Sequence, residues 1–493
     1  MEKNPIATWV KHIRLITSLV LTILLLSACS KKKPTPPPPP LPKWTVLGYF
    51  DGNNPTDTSG TSSSYVIKDV QEMEQVGSTK DIQVIVMLGS IKTEGNCNYY
   101  LIKKYLDEPP DSISSEVLDS LGKKDMSNPQ TLSNFIKYGV EHYPAQHYML
   151  IINGHGSGWK GVCSDQQNGD GEMMTLPEFS SALFGYKFEI ILFYGPSMSM
   201  LEVAYQLKDK ANYLVGSQFN LPMQNILGSS EWLQSLADNP DISSGSLVSN
   251  IVDQIYYSAN DQNKDVHIAG INLSKVDALA SKVADLGNTL LIKTGVYWNE
   301  VYDAWDAAHY RTPYYDSAFT DLKEFAKKLQ NASNHLDSTI KNDAKKVEDA
   351  TGYAVIKSLT RPIYSVQGGL SIHLPWQSNL FDLTTYVRLD FTVSNWHIFL
   401  SRFIQAYVEA RTGSLRIVSE PVKGARIFLD GQDTGLETDT TIHGIPEGRH
   451  AVKLVKAGYS DITWKADIFA GTTTEVIIPF GHPSTSRECT FEL

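Results

Sequence analysis

Two short stretches carry side chains whose types and spacing could do chemistry. The apolar run Tyr148–Ile152 leads into Asn153-Gly154-His155-Gly156, and the run Glu189–Phe193 leads into Tyr194-Gly195-Pro196-Ser197. Apolar runs that stop abruptly at glycine read as buried parallel strands, which deliver side chains to the carboxyl edge of an α/β sheet, where such folds keep their sites. An imidazole between glycines has room for a close partner, and its ordinary pKa of about 6.5 suits it to take a proton from a thiol or hydroxyl. Two nucleophiles are near in sequence: Cys163, read as a loop residue, and Ser197, just past the second strand. Either one, paired with His155, would make a hydrolase. Without such a partner His155 is a structural histidine.

The two stretches resemble the clostripain-like cysteine peptidases. In that family a Gly-His-Gly element supplies the general base, and the next strand runs into Phe-Asp-Ala-Cys-Leu-Met with a glutamate six residues after the cysteine, then Val-Ala-Tyr. This chain keeps Phe193, Met198, Met200, Glu202, Val203, Ala204 and Tyr205 in register. The same register puts Pro196 at the nucleophile position and Tyr194 at the aspartate that binds the basic residue before the scissile bond. Proline offers neither a nucleophile nor an ionisable group. It also lacks the N–H that, in the family, forms the oxyanion hole with the amide of the glycine after the histidine, here Gly156; loss of one such donor costs roughly a hundredfold to a thousandfold in rate. Tyr194 brings a neutral phenol where a carboxylate would attract lysine or arginine. The resemblance therefore implies a caspase-like fold with a relic base at His155, a relic oxyanion amide at Gly156 and an altered specificity position at Tyr194. The expected protein binds a peptide, glycan or protein partner without cleaving it; the alternative is a cysteine-type endopeptidase that uses His155 with Cys163 or Ser197. Glycine followed by proline at 195–196 predicts a helix from Ser197 to Lys208 with Pro196 at its first position.

Other polar groups have plainer readings. Asp165, Asp170 and Glu172 lie in a glycine-containing loop whose spacing is not that of an EF-hand, so a solvated turn is expected and no metal or cofactor. The interval from Gly161 through Tyr186 holds no lysine or arginine, which leaves no basic site there for self-cleavage. Asp51, Asn53 and Asn54 end the first strand and read as turn residues. Glu202, Met198 and Met200 are placed on the following helix, where packing explains them.

The chain of 493 residues is too long for one core, and its net charge of −11 with no basic cluster argues against nucleic-acid binding. Residues 1 to 28 have the layout of a secretion signal, with Lys3, Lys11 and Arg14 before the apolar run Leu15–Leu26. Leu26-Ser27-Ala28-Cys29 resembles a bacterial lipobox, which implies cleavage before Cys29 and a lipid anchor there, in the bacterial cell envelope. Residues 29–43, with prolines from Pro34 to Pro42, read as a stalk. Cys97, Cys163 and Cys489 remain, enough for one disulfide at most. Strands and helices then alternate over residues 44–410, predicting a mostly parallel α/β sheet flanked by helices; Gly368-Gly369-Leu370-Ser371-Ile372-His373-Leu374-Pro375 resembles a strand near the end of clostripain-like domains. Amphipathic helices are expected at 275–292 and 314–350. Short runs with glycine turns over 413–480 predict a small all-β sandwich, and Asp430-Gly431 with Pro446-Glu447-Gly448-Arg449-His450 resembles a PEGA domain. Residues 481–493 form a tail.

Overall fold

A computed structural model describes Trp9 and residues 40–58, 64–105, 112–222, 226–312, 315–361 and 368–482. The rest of the leader, Cys29, the stalk up to residue 39, and residues 483–493 with Cys489 lie outside the described residues. Among the described residues no helix is long and apolar enough to cross a membrane.

The strands in chain order are β1 (Trp44–Gly52), β2 (Ile82–Ser90), β3 (Asn96–Leu101), β4 (Glu116–Lys123), β5 (His147–Asn153), β6 (Val162–Ser164), β7 (Met173–Met174), β8 (Phe188–Tyr194), β9 (Ala211–Gly216) and β10 (His267–Asn272). One nine-stranded sheet runs Val355–Thr360, β10, β9, β8, β5, β1, β2, β3, β4. The middle strands β2, β1, β5, β8 and β9 are mutually parallel. The pairs at either edge are antiparallel.

The parallel strands are apolar on both faces because both faces are covered. Along β5, Leu150 and Ile152 join one hydrophobic cluster while Met149 and Ile151 join the other. Each such fully buried side chain contributes roughly 1.5–3 kcal/mol. The covering helices start where the sequence supplies caps. Ser64 accepts from the Ile67 amide at the head of helix Tyr65–Glu74, which buries Val66, Val70 and Met73. Asn128 accepts from Gln130 N–H before Pro129–His142.

Two helices differ from expectation. The helix after β8 begins at Leu201, not Ser197, and runs only to Leu207. The single helix expected over 314–350 is a strand, Tyr315–Asp321, followed by helices Leu322–Asn331 and Ser338–Ala354. Asp321 and Asp337 each cap the helix that follows them, so the apolar spacing carries on across two real starts.

From Thr412 to Phe480 the chain is all β. A three-stranded and a four-stranded sheet enclose their own cluster, which includes Leu415, Ile427, Val452, Leu454 and Ile478.

Candidate functional site

Strands β5 and β8 are neighbours, with Asn153 opposite Tyr194, so their terminal loops meet at the carboxyl edge of the sheet. The Gly154 amide donates to the Tyr194 carbonyl at 3.4 Å. A Cβ at Gly156 would lie 2.5 Å from the Pro196 carbonyl oxygen, and one at Gly195 would lie 2.6 Å from the Gly154 oxygen. Only glycines allow this approach, since a real Cβ at such distances meets backbone that cannot swing away. His155, Gly156, Tyr194 and Pro196 are thus brought together as their sequence positions required.

Among the described residues no hydrogen bond links their side chains to one another. His155 is exposed, and among the described residues no hydrogen bond engages its ring. Packing on its inner side lowers its pKa below 6.5, leaving the imidazole neutral at pH 7. Pro196 is half-buried in a turn. Ser197 sits in the left-handed region with φ 60°, and its amide donates to the Phe219 carbonyl at 3.0 Å. The Ser199 amide likewise donates to Ser217 at 2.8 Å. These two bonds tie the chain alongside the end of β9, which is why no helix starts at Pro196. Met198 and Met200 therefore precede the helix and pack under the His155 loop: a Cβ at Gly158 would lie 2.3 Å from the Met200 sulfur.

Cys163 is not a loop residue but the middle of β6, with its amide donating to the His155 carbonyl at 2.8 Å. Its side chain is buried in the core, and burial, reinforced by the carboxylates of Asp51, Asp165 and Asp125, pushes the thiol pKa well above its ordinary value. A neutral, enclosed thiol is no nucleophile. Cys97 and Cys163 are both free and buried.

The acidic loop after Cys163 is solvated in part: Asp170 and Glu172 are exposed, as expected, but Asp165 is not. Asp165 is fully buried and accepts four hydrogen bonds, from the Gln167, Asn168 and Met126 amides and from Asn53 Nδ2. Asp51, Asn53 and Asn54 are buried as well. Asp51 takes the Ser164 amide, and burial followed by the charge of Asp165 raises its pKa to about 7. Among the described residues no group of three or more histidine, cysteine, aspartate or glutamate side chains is placed to hold a metal.

Tyr194 is enclosed on the opposite face of the sheet from Cys163. Its phenol accepts from the Ile226 amide at 3.1 Å and donates to the Pro222 carbonyl at 3.4 Å. Nearby, Asp69 accepts from Asn153 Nδ2 at 2.7 Å, and Glu72 accepts from the amide and hydroxyl of Ser229. Burial first, then Glu72, holds the Asp69 carboxyl well above its usual range, and burial raises Glu72 to about 7. This acid pair escaped the sequence reading, although its three-residue spacing puts both carboxyls on one face of a helix already marked apolar.

The model of the clostripain family matches residues 49–432. The chain belongs to the clostripain family. A PEGA domain model matches residues 412–482. Among solved structures, this clostripain-family chain is similar to a secreted C11 cysteine protease from Bacteroides thetaiotaomicron in complex with an irreversible peptide inhibitor, at 20% identity and TM-score 0.55, over 72% of this chain and 99% of that one. It is also similar to an inactive zymogen C11 protease from Parabacteroides distasonis, at 22% identity and TM-score 0.52, with the same coverage. At these identities the likeness shows the fold: the mixed α/β sheet flanked by helices is that of the C11 neighbours. No curated protein matches the chain.

A second cluster missed by sequence reasoning lies beneath the clostripain-like loop that carries His155. Glu202 is fully buried, and its Oε1 accepts from the His373 amide and from the Tyr386 hydroxyl, both at 2.9 Å. Trp159, in the turn after His155, packs on His373 and Tyr386 with ring centroids 5.2 and 5.0 Å away. Glu202 matched the family register and His373 lay in the family-like strand, but nothing in their spacing of 171 residues joins them.

Proposed function

We propose that this clostripain-family chain is catalytically silent and uses the cleft at the ends of β5 and β8 to hold a peptide, glycan or protein partner, displayed on the bacterial envelope through lipid on Cys29. The single observation that carries the silence is Pro196, the residue whose carbonyl lies against Gly156 where the family resemblance places a cysteine. It supplies no nucleophile and no oxyanion N–H. Two further observations weigh against the alternatives: the Cys163 thiol is buried and neutral, and the Ser197 backbone is bound away along β9. A peptide is the favoured partner: the similar Bacteroides structure carries a peptide inhibitor, and the glycine turns that open such an edge persist here.

Purified protein, incubated with peptides ending in lysine or arginine before the reporter group, will release product no faster than buffer, and a thiol-directed peptide inhibitor will leave its mass unchanged. An active enzyme would instead turn over and lose that turnover in at least two of His155→Ala, Cys163→Ala and Ser197→Ala, which would overturn the reading. The anchor has its own check. Fatty-acid label fed to expressing cells will enter the wild-type chain and be lost in Cys29→Ser; equal labelling of the two would remove the lipid from the proposal.

A further inference from the structure

The PEGA-like signature contains a histidine whose surroundings the proposed function does not use. His450 lies in the strand Gly448–Val455, with its side chain 13% exposed. Its Nδ1 is 2.6 Å from Asp430 Oδ2, and its Nε2 is 2.8 Å from the Pro446 carbonyl oxygen. Both partners are acceptors only. A neutral imidazole has one N–H, so one of its nitrogens would set a lone pair against an oxygen lone pair; the imidazolium, with two N–H groups, satisfies both contacts.

These contacts tie two turns together beyond the strand ladder, which ends where the Asp430 amide donates to the Ala451 carbonyl at 2.8 Å. Asp430 follows the strand Arg426–Leu429, has φ 49°, and also accepts from the Ala451 amide at 2.8 Å. The other turn, Pro446-Glu447-Gly448, reaches the end of the helix Trp396–Ala410: the Glu447 amide donates to the Arg411 carbonyl at 2.9 Å. Arg411 itself is spent on the Tyr302 hydroxyl and the face of Tyr407. No other described charge competes for the ring. His450 shares the inner face of its strand with Val452 and Leu454, whereas Arg449 and Lys453 lie at the alternate positions, paired with Asp467 and Asp461, and Lys465 lies opposite Ala451 on that outer face.

We infer that His450 is a pH-sensitive latch, whose doubly protonated ring ties the Asp430 turn to the Pro446–Gly448 turn and so holds the junction at Arg411 between the α/β portion and the C-terminal β sheets. Burial works against the ring's charge, but Asp430 and the Pro446 carbonyl outweigh it and raise the His450 pKa above 6.5. The Ala451 amide and His450 hold Asp430 below 3.8. A histidine raised on folding gives stability that is complete below 6.5 and lost as pH rises through the folded value. The latch is therefore closed from the Asp430 titration up to that of His450, and opens on the alkaline side.

Histidine-detected NMR on the full-length chain tests this, with His450 assigned by the signal missing in His450→Gln. His450 will titrate above 6.5, and Asp430→Asn will move that titration to lower pH. Hydrogen-exchange protection of the Glu447 amide, corrected for the intrinsic rate, will fall about tenfold as pH crosses the His450 midpoint, the equilibrium equivalent of one charge-assisted hydrogen bond. In His450→Gln that protection will not change across the same range. If the glutamine variant does not fold, Asp430→Asn carries the comparison, since it keeps the ring and removes the charge. A His450 that titrates at or below 6.5, or Glu447 protection that ignores its titration, overturns the latch.

Discussion

Tyr194→Asp will destabilise the α/β portion by on the order of 5 kcal/mol, even though the family resemblance expects aspartate at that position. The aromatic ring is 1% exposed, and its removal leaves a cavity of the kind that costs about 3–5 kcal/mol for a large aromatic. The Ile226 amide loses its acceptor. The new carboxyl would be buried near Asp69 and Glu72, two acids that burial already holds above their ordinary pKa. Tyr194→Phe separates these causes, because it removes only the hydroxyl and should cost about 1–2 kcal/mol. Urea denaturation of the three proteins at pH 7 gives the ranking. A Tyr194→Asp protein as stable as wild type would mean that the position opens to solvent as a specificity pocket, contrary to the packing seen.

The same residue shows where sequence reasoning reached and where it stopped. The register placed Tyr194 and Pro196 beside His155 because strand ends and glycines are local features, and a parallel pairing of neighbouring strands brings them together. The placement of Tyr194 at its strand end, opposite Asn153, was legible for that reason. The filling of the space by the phenol was not, since its partners Pro222 and Ile226 come from a loop some thirty residues on. The false helix start at Ser197 has a similar cause. Glycine and proline favour a start there locally, but the Ser197 and Ser199 amides find carbonyls at Phe219 and Ser217, and a tertiary ladder overrides a weak local preference. Asp165 went wrong through composition: polar residues in a glycine-containing loop read as solvated, whereas this carboxylate gathers four donors and needs no water.

Glu202→Gln will gain about 2–3 kcal/mol of stability relative to wild type as pH rises from 5 to 8. Burial raises Glu202 from 4.5 to about 7, against the opposing effect of the His373 amide and the Tyr386 hydroxyl. An acid whose pKa rises on folding holds its proton more tightly in the native state, so its contribution is complete below 4.5 and is lost as pH climbs through about 7. Asp51 and Glu72, also raised to about 7, slope the same way, whereas His267 and His373, which burial lowers to about 3, slope the other way through 6.5, so the comparison with the glutamine variant isolates Glu202. Glutamine mimics the protonated acid: it keeps an oxygen for the two donors and puts an amide where Oε2 has no partner among the described residues. The variant should match wild type at pH 5 and exceed it at pH 8 in urea midpoint. Glu202→Ala should instead weaken the protein at both pH values by about 2–5 kcal/mol, because a buried N–H and O–H are stranded. A glutamine variant whose stability relative to wild type is the same at both pH values would show that the carboxyl is not the titrating support described. Since Tyr386 and His373 in turn back Trp159, whose turn follows His155, this glutamate holds the loop in place from below. That accounts for a family-matched acid so far from the His155 ring: the support serves the fold of the loop, and on the function proposed above a loop that only binds needs it as much as one that cleaves.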